Sequence, residues 1–241
     1  MIVLLTDFGL GEYVGVMKGV ICQHAPDARI VDLCHDVTPQ CLVEASWLLS
    51  RSYRYFPTGS VFCCVVDPGV GSDRKAVAVQ TTRYSFVAPD NGILWETLKL
   101  ESVVAQREIP VPAEASRTFH GRDLFAQAVA KVDRGKFEAL GPATTKLKHL
   151  DLPLRGREGL VVRIDRFGNC VTNLPPLSQG HYSVALGTRR ESMPSYPTYD
   201  AAESDRLFII EGSCGTLEIS LKNGNANAEL HASAGDKIVI E

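Results

Sequence analysis

An α/β amino-terminal domain with a central, mainly parallel sheet flanked by helices, followed by a smaller all-β, barrel-like domain, is the fold class that this sequence predicts. Three observations predict it. Across residues 1–145, short apolar runs that end in polar loops alternate with stretches of helical spacing. Between Gly141 and Gly159 the chain is rich in Pro, Lys and Arg without a sustained period. Beyond it come short alternating stretches separated by Gly, Asn, Ser and Pro clusters. The predicted division is an α/β catalytic domain over 1–145, a linker over 146–158 and a small β domain over 159–241.

Ile2–Leu5 reads as a buried strand that delivers Thr6-Asp7-Phe8-Gly9 into a loop. Tyr13, Met17, Val20 and Ile21 recur at helical spacing up to Pro26, and Arg29–Leu33 is the next strand. Leu42–Tyr55 is helical in composition, Val61–Val66 is a strand that ends in Asp67-Pro-Gly-Val-Gly71, and Ala76–Thr81 and Tyr84–Val87 are further strands. Gly92–Leu100 and Gly121–Val132 read as helices. In the second domain the expected strands are Leu160–Ile164, Tyr182–Leu186, Arg206–Glu211, Thr216–Leu221 and Lys237–Ile240.

The composition narrows the function classes. The chain has 241 residues, and its 25 Lys and Arg against 28 Asp and Glu leave a net charge of −3, so no basic footprint asks for nucleic acid or an anionic membrane. No apolar run reaches bilayer-spanning length. The start Met1-Ile-Val-Leu-Leu-Thr-Asp lacks a basic segment, which predicts a cytoplasmic protein. Seven cysteines without a C-x-x-C pair sit mostly in apolar stretches and read as buried thiols in a reducing compartment. No metal is expected, because His24, His35 and His120 share no ligand spacing. The sequence has no P-loop, dinucleotide fingerprint or G-x-S-x-G elbow, so no nucleotide cofactor or serine nucleophile is expected either.

What remains is a set of polar residues at strand ends: Asp7, His35, Asp36, Asp67, Asp90, Asn91, His120, Arg122 and Asp123. In open α/β sheets the ligand crevice lies outside the carboxyl ends of the strands, so these side chains suit one small-molecule pocket. Taken singly, each also suits a helix cap or a turn.

Seven ordered stretches carry a more specific likeness. They are Thr6-Asp7-Phe8-Gly9 with Tyr13-Val14-Gly15 and Met17-Lys18-Gly19; Asp32-Leu33-Cys34-His35 with Pro39; Phe56-Pro57-Thr58-Gly59; Val65-Val66-Asp67-Pro68-Gly69-Val70-Gly71 with Arg74; Pro89-Asp90-Asn91-Gly92; Thr118-Phe119-His120-Gly121-Arg122-Asp123; and Ile164-Asp165-Arg166-Phe167-Gly168-Asn169 with Thr172-Asn173. Together with Ser213 to Ser220 and Asn223 to Ala226, they resemble the S-adenosylmethionine hydroxide adenosyltransferases, relatives of the fluorinating and chlorinating enzymes.

The resemblance implies attack of water or hydroxide on C5′ of S-adenosyl-L-methionine, which gives adenosine and L-methionine. It implies that Asp67, Arg74 and His120 activate the water. Asp7 would hold the ribose hydroxyls, Asp165 and Asn169 would lie near the methionine and nucleoside, and Ser213, Glu218, Asn225 and Ala226 would lie near adenine. It also implies a homotrimer with the ligand at subunit interfaces, no cofactor besides the substrate, and no nucleic-acid or membrane partner. Two departures stand out: the Leu10-Gly11-Glu12 loop is shorter than the family's, and Gln40 stands where fluorinating relatives carry an aromatic residue. Halide-using relatives replace the carboxylate that Asp67 retains here, which favours hydroxide. The alternatives are a halide-dependent adenosyltransferase and a non-catalytic protein that binds adenosine or S-adenosylmethionine.

Overall fold

The computed structural model describes residues 1–177 and 180–241 and divides them into two units, Met1–Asp151 and Leu152–Glu241. In the first unit the strands are β1 (Ile2–Thr6), β2 (Ile30–Cys34), β3 (Val61–Val65), β4 (Ala76–Thr81), β5 (Ser85–Pro89) and β6 (Val103–Ile109). The helices are α1 (Glu12–His24), α2 (Leu42–Ser52), the single-turn α3 (Trp95–Leu98) and α4 (Ala126–Asp133), the last entered through a π turn over Gly121–Phe125.

The strands lie in the order β2-β1-β3-β5-β4-β6. The β1/β2, β1/β3 and β3/β5 pairs are parallel, whereas β4 runs antiparallel to both β5 and β6, so the sheet is mixed rather than mainly parallel. The reason is local. Only Thr82, Arg83 and Tyr84 connect β4 to β5, closed by a Thr81 N–H to Tyr84 O bond, and a parallel crossover needs a dozen or more residues.

Alternation within the central strands builds two core layers. Ile2, Leu4, Val61, Cys63 and Val65 pack with Met17, Ile21, Phe125 and Val129 of the α1/α4 side, while Val3, Leu5, Phe62 and Cys64 pack with Ala45, Leu49 and Tyr53 of the α2 side. Because both faces are covered, β1, β3 and β5 are buried along their whole length. The adjacent cysteines therefore point into opposite layers. Burial pushes the Cys63 thiol up to about 12 and the Cys64 thiol well above its ordinary value.

Two elements of the first unit differ from the sequence reading. The helix expected over Gly92–Leu100 is confined to Trp95–Leu98, and β6 was not anticipated because its edge position leaves it half-exposed and polar through Gln106, Arg107 and Glu108. Residues 148–151 lie against the first unit. Asp90 Oδ1 accepts from Lys148 N–H at 2.8 Å, the His149 ring stacks on Trp95 at 3.6 Å, and Leu150 fills the space above Gly92.

The second unit contains β7 (Glu158–Ile164), β8 (Cys170–Thr172), β9 (His181–Leu186), β10 (Arg189–Pro194), β11 (Leu207–Glu211), β12 (Leu217–Leu221), the single turn α5 (Asn227–Leu230) and β13 (Lys237–Ile240). The order is β10-β9-β13-β7-β8-β12-β11, with every pair antiparallel. A bridge from Ser195 to Ile209 brings the two ends together into a nearly closed, barrel-like sheet around Val161, Tyr182, Ile209, Ile219 and Ile238. No helix among the described residues is long and apolar enough to cross a membrane.

Candidate active site

Four segments of the first unit converge at the carboxyl ends of β1 and β3. The first strand delivers Asp7 and Phe8, and the third delivers Asp67. The loop before the π turn delivers Thr118, Phe119 and His120, and Pro39 and Gln40 come from the entry to α2. They line a pocket of about 280 Å³. The loop after Asp67 is a tight turn closed by Val70 N–H to Asp67 O at 3.2 Å and Ser72 N–H to Gly69 O at 3.1 Å. Gly71 has φ +77°, and a Cβ there would run into the Arg117 carbonyl. Glycine thus lets this turn approach the strand of chain that leads to His120.

Arg74 joins the two halves. Its Nε lies 2.9 Å from each Asp67 carboxylate oxygen, its Nη2 also donates to Asp67 Oδ2, and the same Nη2 lies 2.9 Å from His120 Nδ1. The Arg74 and Asp67 side chains are only 5% and 6% exposed, which makes the ion pair nearly dry. The guanidinium carbon sits 5.2 Å from the Phe125 ring centre, and Nη1 is buried without a hydrogen-bond partner among the described residues.

A guanidinium has only donors, so His120 Nδ1 must accept and the imidazole proton must sit on Nε2. His120 therefore presents an N–H donor on its other side, while Asp67 supplies the acceptor. Burial lowers the His120 pKa, and the charge of Arg74 lowers it further against smaller opposing effects of Asp67 and Asp123. Asp67 and His120 line the pocket, whereas Arg74 stands behind them.

Asp7 is oriented by the Gln40 backbone N–H, which donates to Oδ2 at 2.8 Å. Gln40 holds φ +64° to make this contact. Next to Asp7 the rings of Phe8, Tyr13 and Phe119 form a triangle with centres 5.1 to 5.9 Å apart. Gly121 lies against this group, since a Cβ there would sit 3.0 to 3.1 Å from Phe119, Met17 and Phe8.

The second unit has its own pocket of about 800 Å³, lined by Asp165, Phe167, Asn169, Tyr199, Ser213 and Glu218 among others. Asp165 is largely spent on its own turn: Oδ1 accepts from the Phe167 and Asn169 backbone N–H groups at 2.9 and 2.8 Å, and Oδ2 accepts from Asn169 Nδ2 at 2.9 Å. Tyr199 donates to Glu218 Oε2 at 3.3 Å. Burial raises the Glu218 pKa, and the Asp165 charge adds to this while the Tyr199 hydrogen bond opposes it. Asn225 and Ala226 do not line this pocket. Asn225 Oδ1 accepts from Ala228 N–H at 2.9 Å behind Gly168, and the Ala226 side chain belongs to the barrel core.

The comparisons with known proteins follow the same two-part division. Residues 2–141 match the model of the SAM hydroxide adenosyltransferase N-terminal domain, and residues 159–239 match that of the C-terminal domain. The chain belongs to the SAM hydroxide adenosyltransferase family. An (R)-S-adenosyl-L-methionine hydrolase of Thermus thermophilus is 37% identical, over 96% of this chain and 95% of the relative. One of Methanocaldococcus jannaschii is 35% identical, over 100% and 95%. A fluorinase of Nocardia brasiliensis is 23% identical, over 100% and 96%. The crystal structure of an uncharacterized conserved protein from Thermotoga maritima superposes with a TM-score of 0.91 at 35% identity over the whole of both chains.

Within this member of the family, the structure joins Asp67, Arg74 and His120 directly and sets Asp7 on the same pocket wall. In the second unit it groups Asp165, Asn169, Ser213 and Glu218. Sequence reasoning gave no role to Phe8, Tyr13 and Phe119, although all three stand inside the quoted motifs. Tyr199 was missed altogether, since it lies in a Ser, Pro and Tyr-rich stretch that carries no periodicity.

Proposed function

We propose that the protein hydrolyses S-adenosyl-L-methionine at C5′ to adenosine and L-methionine. The observation that carries this reading is the Asp67–Arg74–His120 cluster on the wall of the pocket that also holds Asp7, in a chain related along its length to S-adenosyl-L-methionine hydrolases.

In the reaction a water oxygen bonds to C5′ as the C5′–sulfur bond breaks. The sulfonium leaves as the neutral thioether of methionine, and the water proton passes to Asp67 and then to solvent. The leaving group is already activated, so catalysis consists of placing a poorly hydrated oxygen nucleophile in line with C5′. Asp67 takes or orients the proton. His120 donates from Nε2 to the nucleophile's oxygen and aims its remaining lone pair at C5′, a contact strongest while the oxygen has hydroxide character and weaker once it has bonded to carbon. Arg74, set behind the pocket wall, fixes both groups, and its charge favours hydroxide over water. The Phe8, Tyr13 and Phe119 rings on the pocket wall offer a sulfonium cation–π contacts, because ring faces attract cations.

Asp7, with Oδ2 held by Gln40, offers its remaining acceptor to the ribose hydroxyls. Asp165 and Asn169 serve the methionine and nucleoside, and Ser213, Glu218, Asn225 and Ala226 serve adenine, the last two through backbone groups. No cofactor takes part. The protein is a cytoplasmic homotrimer in this reading, and light scattering at the elution peak tests the assembly. The chemistry is tested in oxygen-18 water: label at the adenosine 5′ oxygen over many turnovers supports displacement by water. A 5′-halogenated nucleoside in chloride or fluoride buffer overturns it in favour of halide transfer, and tight binding without turnover leaves a nucleoside-binding protein.

A further inference from the structure

We infer that His35 is a positioning residue for nucleoside binding: it fastens the Thr6–Gly9 loop at both ends, and so sets the Asp7 carboxylate toward the ribose hydroxyls. The inference rests on the reading of Asp7 as the ribose contact. His35 does not line the pocket, and the reaction described above gives it no part.

The hydrogen bonds can be assigned in sequence. Thr6 is fully buried at the end of β1, and its Oγ1 accepts from the Phe8 backbone N–H at 3.2 Å. The hydroxyl hydrogen is then available to His35 Nδ1, which lies 2.8 Å away. The ring proton sits on Nε2, because Asp32 Oδ1, 3.0 Å away, can only accept; that contact is electrostatic rather than an aligned hydrogen bond, and it leaves Nδ1 as the acceptor from Thr6. Asp32 Oδ2 in turn accepts from Lys18 Nζ of α1 at 2.6 Å. The backbone of the same histidine holds the far end of the loop, where Gly9 N–H donates to His35 O at 2.7 Å. Gly9 reaches that carbonyl with φ +65°, a conformation glycine adopts without strain.

Asp7 thus sits between two anchors that both lead to His35. With Oδ2 bound to Gln40 N–H, the loop leaves the carboxylate little rotational freedom. A bidentate acceptor gains most from such preorganisation, because a ligand then loses no binding free energy in ordering it. Of the two ring contacts, the one to Thr6 reaches Asp7 directly through the chain, whereas the one to Asp32 only steadies the ring.

The test compares dissociation constants of adenosine and 2′,3′-dideoxyadenosine, measured by titration calorimetry on the wild-type chain and its variants. The wild type is expected to prefer adenosine. His35→Ala should weaken adenosine at least about tenfold and leave the dideoxy analogue within about twofold, a difference near 1.4 kcal/mol. His35→Asn, whose amide oxygen can replace Nδ1 as the acceptor from Thr6, should keep the preference. Should His35→Ala not accumulate as folded protein, Thr6→Val removes the same hydroxyl contact and is expected to lose the preference likewise.

Equal weakening of both ligands, or a preserved preference in His35→Ala, overturns the inference. A wild type that binds both nucleosides equally removes the Asp7 reading and this one with it. A wild type that prefers adenosine but releases none from S-adenosyl-L-methionine overturns the proposed reaction while the ligand preferences still decide the role of His35.

Discussion

Arg74 Nη2 stands 2.9 Å from His120 Nδ1 while the same guanidinium grips the Asp67 carboxylate, so one side chain sets the geometry of both groups that face the pocket. A lysine ammonium is a single point donor and cannot span both partners. Arg74→Lys should therefore lower kcat by about 100-fold or more, the scale of a lost acid–base arrangement, with the KM for S-adenosyl-L-methionine changed only about twofold. Steady-state release of adenosine measures both. Wild-type kcat in the lysine variant would mean that charge alone suffices and that the bridge is incidental.

The His120 tautomer gives a pH dependence with a definite sign. Protonation would put a hydrogen on Nδ1, where Arg74 allows only an acceptor. Burial first and the Arg74 charge second lower the pKa of this histidine. The acid limb of kcat/KM should accordingly fall below the ordinary histidine value of about 6.5. Stability follows the same direction: the neutral form's contribution is complete above the unfolded-state value and is lost as the pH drops through the lower folded-state value. A pH–rate profile whose acid limb lies above 6.5 on this scale would contradict the assignment, and His120→Gln should remove the limb while lowering the plateau.

Gly71 is where the Asp67 turn meets the backbone of Arg117, three residues before His120. A methyl group at this position needs both a left-handed conformation and space that the Arg117 carbonyl occupies. Gly71→Ala should cost on the order of 1–3 kcal/mol, a loss of several degrees in Tm, and reduce kcat by separating Asp67 from His120. Gly135→Ala is the control. It shares the positive φ of +71° but meets nothing within 4 Å, so its cost should be smaller and its activity intact. Equal thermal shifts in the two variants would show that backbone conformation alone decides.

The first unit was legible because its central strands are fully buried, and a continuous apolar run such as Ile2–Leu5 or Val61–Val66 has few other readings. Strand direction was less legible. The expected strands Ala76–Thr81 and Tyr84–Val87 already left only Thr82 and Arg83 between them, too few for a parallel crossover, but a sheet read as mainly parallel overlooked the inversion of β4 that this short connection imposes. In the second unit, β8 has three residues and β10 reads Arg-Arg-Glu-Ser-Met-Pro, so neither carries a period of two that stands out from a loop. Residue identities pointed to Asp67, Arg74 and His120 through a family likeness, whereas the tautomer of His120 and the place of Arg74 behind the pocket needed distances. Asn225 and Ala226 show the opposite case, where motif membership did not reveal that both side chains turn away from the pocket in the second unit.

Glu218 separates stability from function in that second pocket. It is 8% exposed, with a carboxyl pKa raised by burial and by the charge of Asp165. A raised carboxyl pKa favours the fold below the unfolded-state value and loses that contribution as the pH rises through the folded-state value, so the charged form is a liability at neutral pH. Glu218→Gln removes the charge and keeps an oxygen to accept from Tyr199. It should raise Tm by about 2 °C at pH 7.5, with a smaller gain at pH 4.5, where the native carboxyl is already partly protonated. Thermal melts at the two pH values check this, and an equal rise at both would assign the gain to packing instead. If the carboxylate is kept for ligand binding, the same variant should bind adenosine more weakly than the wild type. A stabilising change that lowers affinity is the pattern expected where a buried charge is retained for the ligand and not for the fold.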